Sequence, residues 1–228
     1  MAADAVVRLE HNEVGRDLVV GDIHGEFIAL KDRLDELEFV PGRDRLFSVG
    51  DLIDRGPNSD VAVEWLAQPW FHAVLGNHEE MALSAAADPE VMEWWTSANG
   101  GAWWHDLDED TQERCLSAFE ALPLVIEVET PGGLVGIVHA DVPAVLSWQE
   151  FTSRLSEGDD RLRQHALWAR SRIASRSEAH RGVVEGVERI YCGHTPLRRP
   201  AVIGNVFYID TGACYQGGEI TVVDLLVE

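Results

Sequence analysis

An apolar run that stops abruptly on a carboxylate constrains this chain more than any other feature. In Leu46-Phe-Ser-Val-Gly-Asp-Leu-Ile-Asp-Arg-Gly-Pro57 the run ends on Asp51, and a glycine-proline turn follows. That pattern predicts a buried strand delivering acid to its tip. A similar junction lies upstream in Leu18-Val-Val-Gly-Asp-Ile-His-Gly25, and polar tips recur in Gly76-Asn-His-Glu79, Val138-His-Ala-Asp141 and Gly193-His-Thr-Pro196. Five such junctions in 228 residues point to one shared site.

The intervening stretches alternate in period. Leu18 to Val20 reads as a first strand, and His24 to Phe39 as a helix with Phe27, Leu30, Leu34 and Leu37 at helical spacing. Pro41-Gly42 breaks that helix, Leu46 to Val49 is the second strand, and Pro57 opens a second helix to Leu66. Phe71 to Leu75 makes a third strand, with a helix starting at or just after Asn77. This is an α/β pattern, and ligands bind at the carboxyl ends of strands in such sheets, so Asp22, His24, Asp51 and Asn77 are expected on one edge.

Residues 88–122 read as a helical excursion, two helices about Ser97-Ala-Asn-Gly-Gly101, with Trp94, Trp95, Trp103 and Trp104 flanking the turn as packing residues. Short β runs follow. Leu124 to Val128 and Leu134 to Val138 form a hairpin about Pro131-Gly-Gly133, ahead of His139, and Phe151 to Arg176 is polar and partly helical. Ile190 to Cys192, Val202 to Ile203, Val206 to Ile209 and Ile220 to Leu225 are expected to supply a second sheet. No linker or low-complexity tract interrupts the chain, so residues 1–228 are expected to form a single domain.

The net charge of -22, with Lys31 the only lysine, argues against nucleic acid and anionic membrane surfaces, because counterion release needs basic residues facing phosphates. No basic apolar leader opens the sequence and no long apolar run spans a bilayer, so a cytoplasmic protein, monomeric by default, is expected. Cys115, Cys192 and Cys214 lack the pairing of a zinc knuckle and read as buried free thiols in a reducing compartment.

Asp22 and His24 lie two apart, so on extended backbone both would grip one ion. Taken singly, Gly-Asp can be a turn, Asn77 a helix cap, and His139 or His194 a satisfied core histidine. Together with Asp51 they form a mixed oxygen and imidazole set, the ligand chemistry of manganese, iron or zinc rather than calcium. Six ligands suffice for two ions if one carboxylate bridges, and two cations about 3.5 to 4 Å apart activate water against a phosphoryl group. Arg55 and Arg170 then suit phosphate oxygens, and His78 held by Asp54 suits protonation of a leaving alkoxide. The other histidines, His11, His72, His105, His165 and His180, match no metal motif.

Gly21-Asp-Ile-His-Gly25, Gly50-Asp-Leu-Ile-Asp-Arg-Gly56, Gly76-Asn-His-Glu79, His139 and Gly193-His194 resemble the phosphoprotein phosphatase family of metallophosphoesterases. Trp168-Ala-Arg-Ser-Arg-Ile173 and Tyr208-Ile-Asp-Thr-Gly-Ala213 place the likeness nearest the compact bacterial and bacteriophage lambda-type Ser/Thr phosphatases. The resemblance implies the calcineurin-like α/β fold, a central β-sandwich flanked by helices, with two divalent ions, manganese first and iron or zinc as alternatives. It implies one metal on Asp22, His24 and Asp51, and a second on Asp51, Asn77, His139 and His194. It further implies His78 as general acid paired with Asp54, phosphate on Arg55 and Arg170 with Arg172 as the replacement, and direct attack by a metal-bridging hydroxide. Phosphoproteins or small phosphoesters, phosphotyrosine included, are the implied substrates. A symmetrical dinucleoside tetraphosphate hydrolase shares the scaffold but departs at Asp54 and Glu79, and a non-catalytic scaffold usually lacks ligands or the acid histidine, all present here.

Overall fold

The computed structural model describes residues 4–175, 177 and 181–226. In chain order the elements are β1 (Val6–Leu9), β2 (Asp17–Val20), α1 (Phe27–Glu36), β3 (Arg45–Ser48), α2 (Ala62–Leu66), β4 (Phe71–Ala73), α3 (Asn77–Ala85), α4 (Pro89–Ala98) and α5 (Glu109–Glu120). There follow β5 (Val125–Thr130), β6 (Gly133–Val138), α6 (Trp148–Ser156), α7 (Asp160–Trp168), α8 (Ser171–Ala174), β7 (Arg189–Cys192), β8 (Ala201–Ile203), β9 (Val206–Tyr208) and β10 (Val222–Asp224). Single 3-10 turns cover Ser59–Val61 and Gly101–Asp106.

Two sheets result, one of order β10-β2-β3-β4 and one of order β1-β5-β6-β7-β9-β8. The period-2 alternation of side chains explains why they stack. In β2, Leu18 and Val20 face the helices while Val19 faces the other sheet. In β7, Ile190 and Cys192 face α6 and α7, while Tyr191 points to the seam. Val19, Phe47, Val49, Ile126, Val135, Ile137 and Tyr191 fill that seam, all at most 2% exposed. Helices α1 to α5 cover the smaller sheet around Leu30, Trp95 and Phe119, and α6 and α7 cover the larger one around Trp148 and Phe151. The mixed α/β sandwich flanked by helices is therefore the architecture, with β2, β3 and β4 parallel to one another and β6, β7 and β9 likewise.

Several local expectations change. The chain start contributes β1, which pairs in parallel with β5 (Val6 opposite Val125), so the larger sheet does not wait for the second half. The end of the chain does not stay in that sheet, because β10 crosses back to lie antiparallel to β2 (Val222 opposite Val20). Pro57 lies ahead of the 3-10 turn at Ser59, and α2 is only Ala62–Leu66. Phe151 to Ala174 is more helical than its polarity suggests, since α6 buries Trp148, Phe151 and Leu155. Arg176 and His180 lie outside the described residues. Among the described residues no helix is long and apolar enough to cross a membrane.

Phe47 is fully buried between the two sheets. Phe47→Ala is expected to lower the unfolding free energy by about 3–5 kcal/mol, read by urea denaturation, because the sheets on either side leave little room to collapse into the cavity.

Candidate metal centre

The polar residues of interest all follow carboxyl ends of strands: Asp22 and His24 after β2, Asp51 after β3, Asn77 after β4, His139 after β6 and His194 after β7. Asp210 follows β9 in the same way. The chain must turn sharply at each tip, and among the described residues five of the six non-glycine residues with positive φ are His24, Asp51, Asp54, Arg55 and His194. Non-glycine residues rarely adopt this region, and such strain persists where the surroundings over-determine it. Close approach constrains the neighbours too. A Cβ on Gly193 would fall 1.9 Å from Asp22 Oδ1, and one on Gly76 would fall 2.2 Å from the Asp51 nitrogen.

These turns bring the side chains together. His24 Nε2 lies 3.6 Å from Asp51 Oδ2, and His139 Nε2 lies 3.4 Å from Asp51 Oδ1. His139 Nε2 and His194 Nδ1 each approach Asn77 Oδ1 to 2.8 Å. Two clusters of donor atoms share Asp51, one with His24 and His78 and one with His139 and His194. The backbone that carries Asp22 and His24 is not extended, as their spacing of two had suggested. His24 has φ +46, and both oxygens of Asp22 accept from the His194 backbone N–H at 3.0 Å.

Proton placement decides what the cluster can hold. The His24 Nδ1–H donates to the Ile53 carbonyl and the His139 Nδ1–H to the Val49 carbonyl, both at 2.8 Å, which leaves each Nε2 bare. His194 Nε2–H donates to the Trp168 carbonyl at 3.2 Å, which leaves Nδ1 bare. Burial disfavours the imidazolium form, pushing His24 and His194 down to about 3 and lowering His139. Around Asn77 Oδ1, then, two bare ring nitrogens face a carbonyl oxygen with no proton between them. Arg55 Nη1 donates to His24 Nε2 at 2.5 Å, a cation already seated against that donor. This arrangement of lone pairs fits divalent cations, with ring orientation fixed by the carbonyls behind.

The carboxylates give the same answer. Burial raises Asp22 well above the ordinary range, helped by the charges of Asp210 and Asp51. Asp51 goes the other way. Burial opposes its ionisation, but His139, His78 and His24 together hold it below the usual carboxylate range.

The His78–Asp54 pair is equally defined. His78 Nδ1 meets Asp54 Oδ2 at 2.5 Å, and His78 Nε2 points toward Asp51 Oδ2 at 3.9 Å. Burial disfavours a charged His78, yet the carboxylates of Asp51 and Asp54 outweigh it and raise the ring. Of the two candidate arginines, Arg172 is 1% exposed, with its guanidinium on the Gly182 and Val142 carbonyls, and does not reach this face. Arg170 is exposed and donates to the His194 carbonyl at 3.2 Å.

Four participants are not among the site residues that the sequence predicts. Glu79, fully buried, accepts the backbone N–H groups of Asp51, Leu52, Ile53 and Gly76, so one carboxylate clamps the Asp51 turn to the start of α3. Burial and the Asp51 charge push its carboxyl up to about 8 against those donors. Trp95 and Trp103, expected to serve packing, also donate their indole N–H groups to Asp54 at 2.6 and 2.7 Å. Asp210 stands beside Asp22, and the apolar run before it in Tyr208-Ile-Asp carries the same signal that singled out Asp51. Among the remaining histidines, His72 stacks on Phe47 at 5.3 Å and His165 lies 3.9 Å from Asp141, both away from the cluster. Cys115 and Cys192 are buried free thiols, and Cys214 is half-buried.

The fold and this cluster of carboxylates and imidazoles define a phosphoesterase. The Calcineurin-like phosphoesterase family matches residues 16–226, and the chain belongs to it. It is 41% identical over 207 residues to Serine/threonine-protein phosphatase 1 of Salmonella typhimurium, covering 89% of this chain and 88% of that protein. It is 37% identical over 202 residues to Serine/threonine-protein phosphatase 2 of Escherichia coli, covering 87% and 88%. A solved structure described as a putative diadenosine tetraphosphatase superposes with a TM-score of 0.66 over 98% of both chains at 22% identity, a likeness of fold. Membership of this family, with these histidine and aspartate groups, implies divalent metal ions.

Asp210 supplies a test of the buried charge. Burial first, then Asp51, raises it to about 6 from 3.8 against the Gly212 N–H. A raised acid stabilises the fold below its unfolded value and loses that contribution as pH climbs through the folded value. In metal-stripped protein, Asp210→Asn is therefore expected to gain on the wild type by roughly 2–3 kcal/mol between about pH 4 and pH 7, read by urea unfolding in chelator.

Proposed function

We propose that the chain is a metal-dependent phosphomonoester hydrolase, a serine/threonine protein phosphatase that uses two divalent ions, manganese foremost. The observation that carries this reading is the His78–Asp54 pair beside the Asp51 cluster, at 2.5 Å within the pair. Asp51 is assigned as the shared ligand, with Asp22 and His24 on one ion and Asn77, His139 and His194 on the other. The likeness to the two named bacterial phosphatases along nearly nine-tenths of the chain supports the substrate class.

When bound, the ions supply an activated water and neutralise phosphoryl oxygens. The protein's own residues do the rest. Arg55 lies exposed against His24 and Arg170 against the His194 carbonyl, on two sides of the cluster, where a planar guanidinium can fork onto phosphate oxygens. His78 carries the proton for the leaving alkoxide on Nε2, while Asp54 holds Nδ1–H and with it the ring orientation. The indoles of Trp95 and Trp103 fix Asp54 in turn.

With manganese added, a phosphoserine or phosphothreonine peptide is expected to be hydrolysed with a higher kcat/KM than diadenosine tetraphosphate. The reverse order would favour the dinucleoside reading. His78→Asn is expected to retain its metal content by elemental analysis while kcat on an alkyl phosphate falls about 100- to 10,000-fold. A good aryl leaving group should lose much less, since it needs less help with a proton; equal losses on both would remove His78 from the acid role.

A further inference from the structure

We propose that a groove beside the metal centre is a subsite for acidic residues flanking the phosphorylated residue of the substrate, read by Arg198 and Arg199. The proposal rests on the protein phosphatase reading and names the peptide chemistry it selects. The groove has a volume of about 760 Å³ and is walled by Pro196, Gly212 and Tyr215, with Arg198 and Arg199 along it and Glu219 the one acid among the lining side chains.

Three observations place it in the path of a bound peptide. Pro196 is two residues beyond His194, and Gly212 two beyond Asp210, so both strand tips that feed the metal cluster continue into its walls. The Leu197 N–H donates to the Asp210 carbonyl at 3.0 Å, which pins the arginine-bearing segment to the site. The Arg55 guanidinium sits 5.9 Å from the centre of the Tyr215 ring, so the wall touches the assigned phosphate clamp. Four and five residues from His194, the arginines lie within about 13–18 Å of it by chain reach. An extended peptide covers that span in about four or five residues.

Charge marks the pair out. In a chain with 40 acidic and 18 basic residues, several arginines elsewhere are paired with its own acids. Arg16 pairs with Asp44, Arg45 with Asp17, Arg154 with Asp159 and Arg163 with Glu80. Arg198 and Arg199 are exposed and engage no side chain among the described residues. Two adjacent free guanidiniums in a groove on so acidic a protein offer an anionic segment a local minimum that the surrounding surface denies it.

The test is a ratio of kcat/KM for matched phosphothreonine peptides, one with a pair of glutamates two to five positions from the phosphothreonine and one with glutamines there, made with the pair on either side. For the wild type at low salt the acidic peptide is expected to lead by roughly three- to tenfold on one side, the range two exposed ion pairs give. The lead should shrink as salt rises. In the Arg198→Gln/Arg199→Gln variant the ratio is expected to fall to about one, and in Arg198→Glu/Arg199→Glu below one. A wild-type ratio near one on both sides, or a lead that survives in the glutamine variant, overturns the subsite while leaving the phosphatase reading intact. Hydrolysis of p-nitrophenyl phosphate with no turnover of any phosphopeptide overturns the phosphatase reading and the subsite with it.

Discussion

A crowd of buried carboxyl groups is the constraint from which the rest of the structure follows. Asp22, Asp51, Asp54, Glu79 and Asp210 are each at most 3% exposed, and they crowd one end of two stacked sheets. An ion removed from water costs several kcal/mol unless hydrogen bonds and opposite charge replace the lost hydration. The backbone supplies much of that replacement: four N–H groups to Glu79, the His194 N–H to Asp22 and the His78 N–H to Asp51. Those bonds are also what fix the loops. What the backbone leaves uncompensated is the mutual repulsion of Asp22, Asp51 and Asp210, and the ring nitrogens aimed at them are bare. Divalent cations answer both needs at once, and this is why folding and metal chemistry share one location.

The sandwich is what makes such a concentration tolerable. The tips after β2, β3 and β7 turn through left-handed backbone at His24, Asp51 and His194, and none of them could hold that conformation alone. The seam of Val19, Phe47, Ile137 and Tyr191 sets the distance between the two sets of strand ends, and contacts such as Gly193 on Asp22 leave no slack between them. A small shift in the packing of the sheets would therefore move His139 and His194 relative to Asp51, since interiors at this density transmit strain instead of absorbing it.

Much of this was legible from residue order, for a physical reason. Strand ends carry polar ligands in α/β sheets, so an apolar run closing on Asp51 or Asn77 announces both an element and a site residue. Apolar runs placed β2, β3 and β4 to within one or two residues at each end. What escaped depends on partners distant in sequence. β1 lies in a polar start with Arg8 inside it, and its pairing with β5 is what makes it a strand. β10 is indistinguishable by pattern from a strand of the larger sheet, yet pairs with β2. Glu79 looks like an ordinary acid in the first turn of a helix, because nothing local says that its carboxylate will close a loop 28 residues earlier. Only the Trp-x-Arg-x-Arg pattern ranks Arg170 ahead of Arg172 on paper, and burial of Arg172 beside Asp141 separates them physically.

The helical excursion shows how function is written into packing. Trp95 and Trp104 belong to the core against α3 and α5, as large apolar side chains should. The same stretch also brings the Trp95 and Trp103 N–H groups onto opposite oxygens of Asp54, from 41 and 49 residues away. Indole donors suit that position better than a lysine or arginine would. A cation there would satisfy Asp54 but also repel a protonated His78, as Arg55 already does in part. Neutral donors fill the carboxylate's lone pairs and leave its charge for His78. The detour through residues 88–107 therefore completes the surroundings of the His78–Asp54 pair, and it does so with residues whose apolar bodies the fold would have buried in any case.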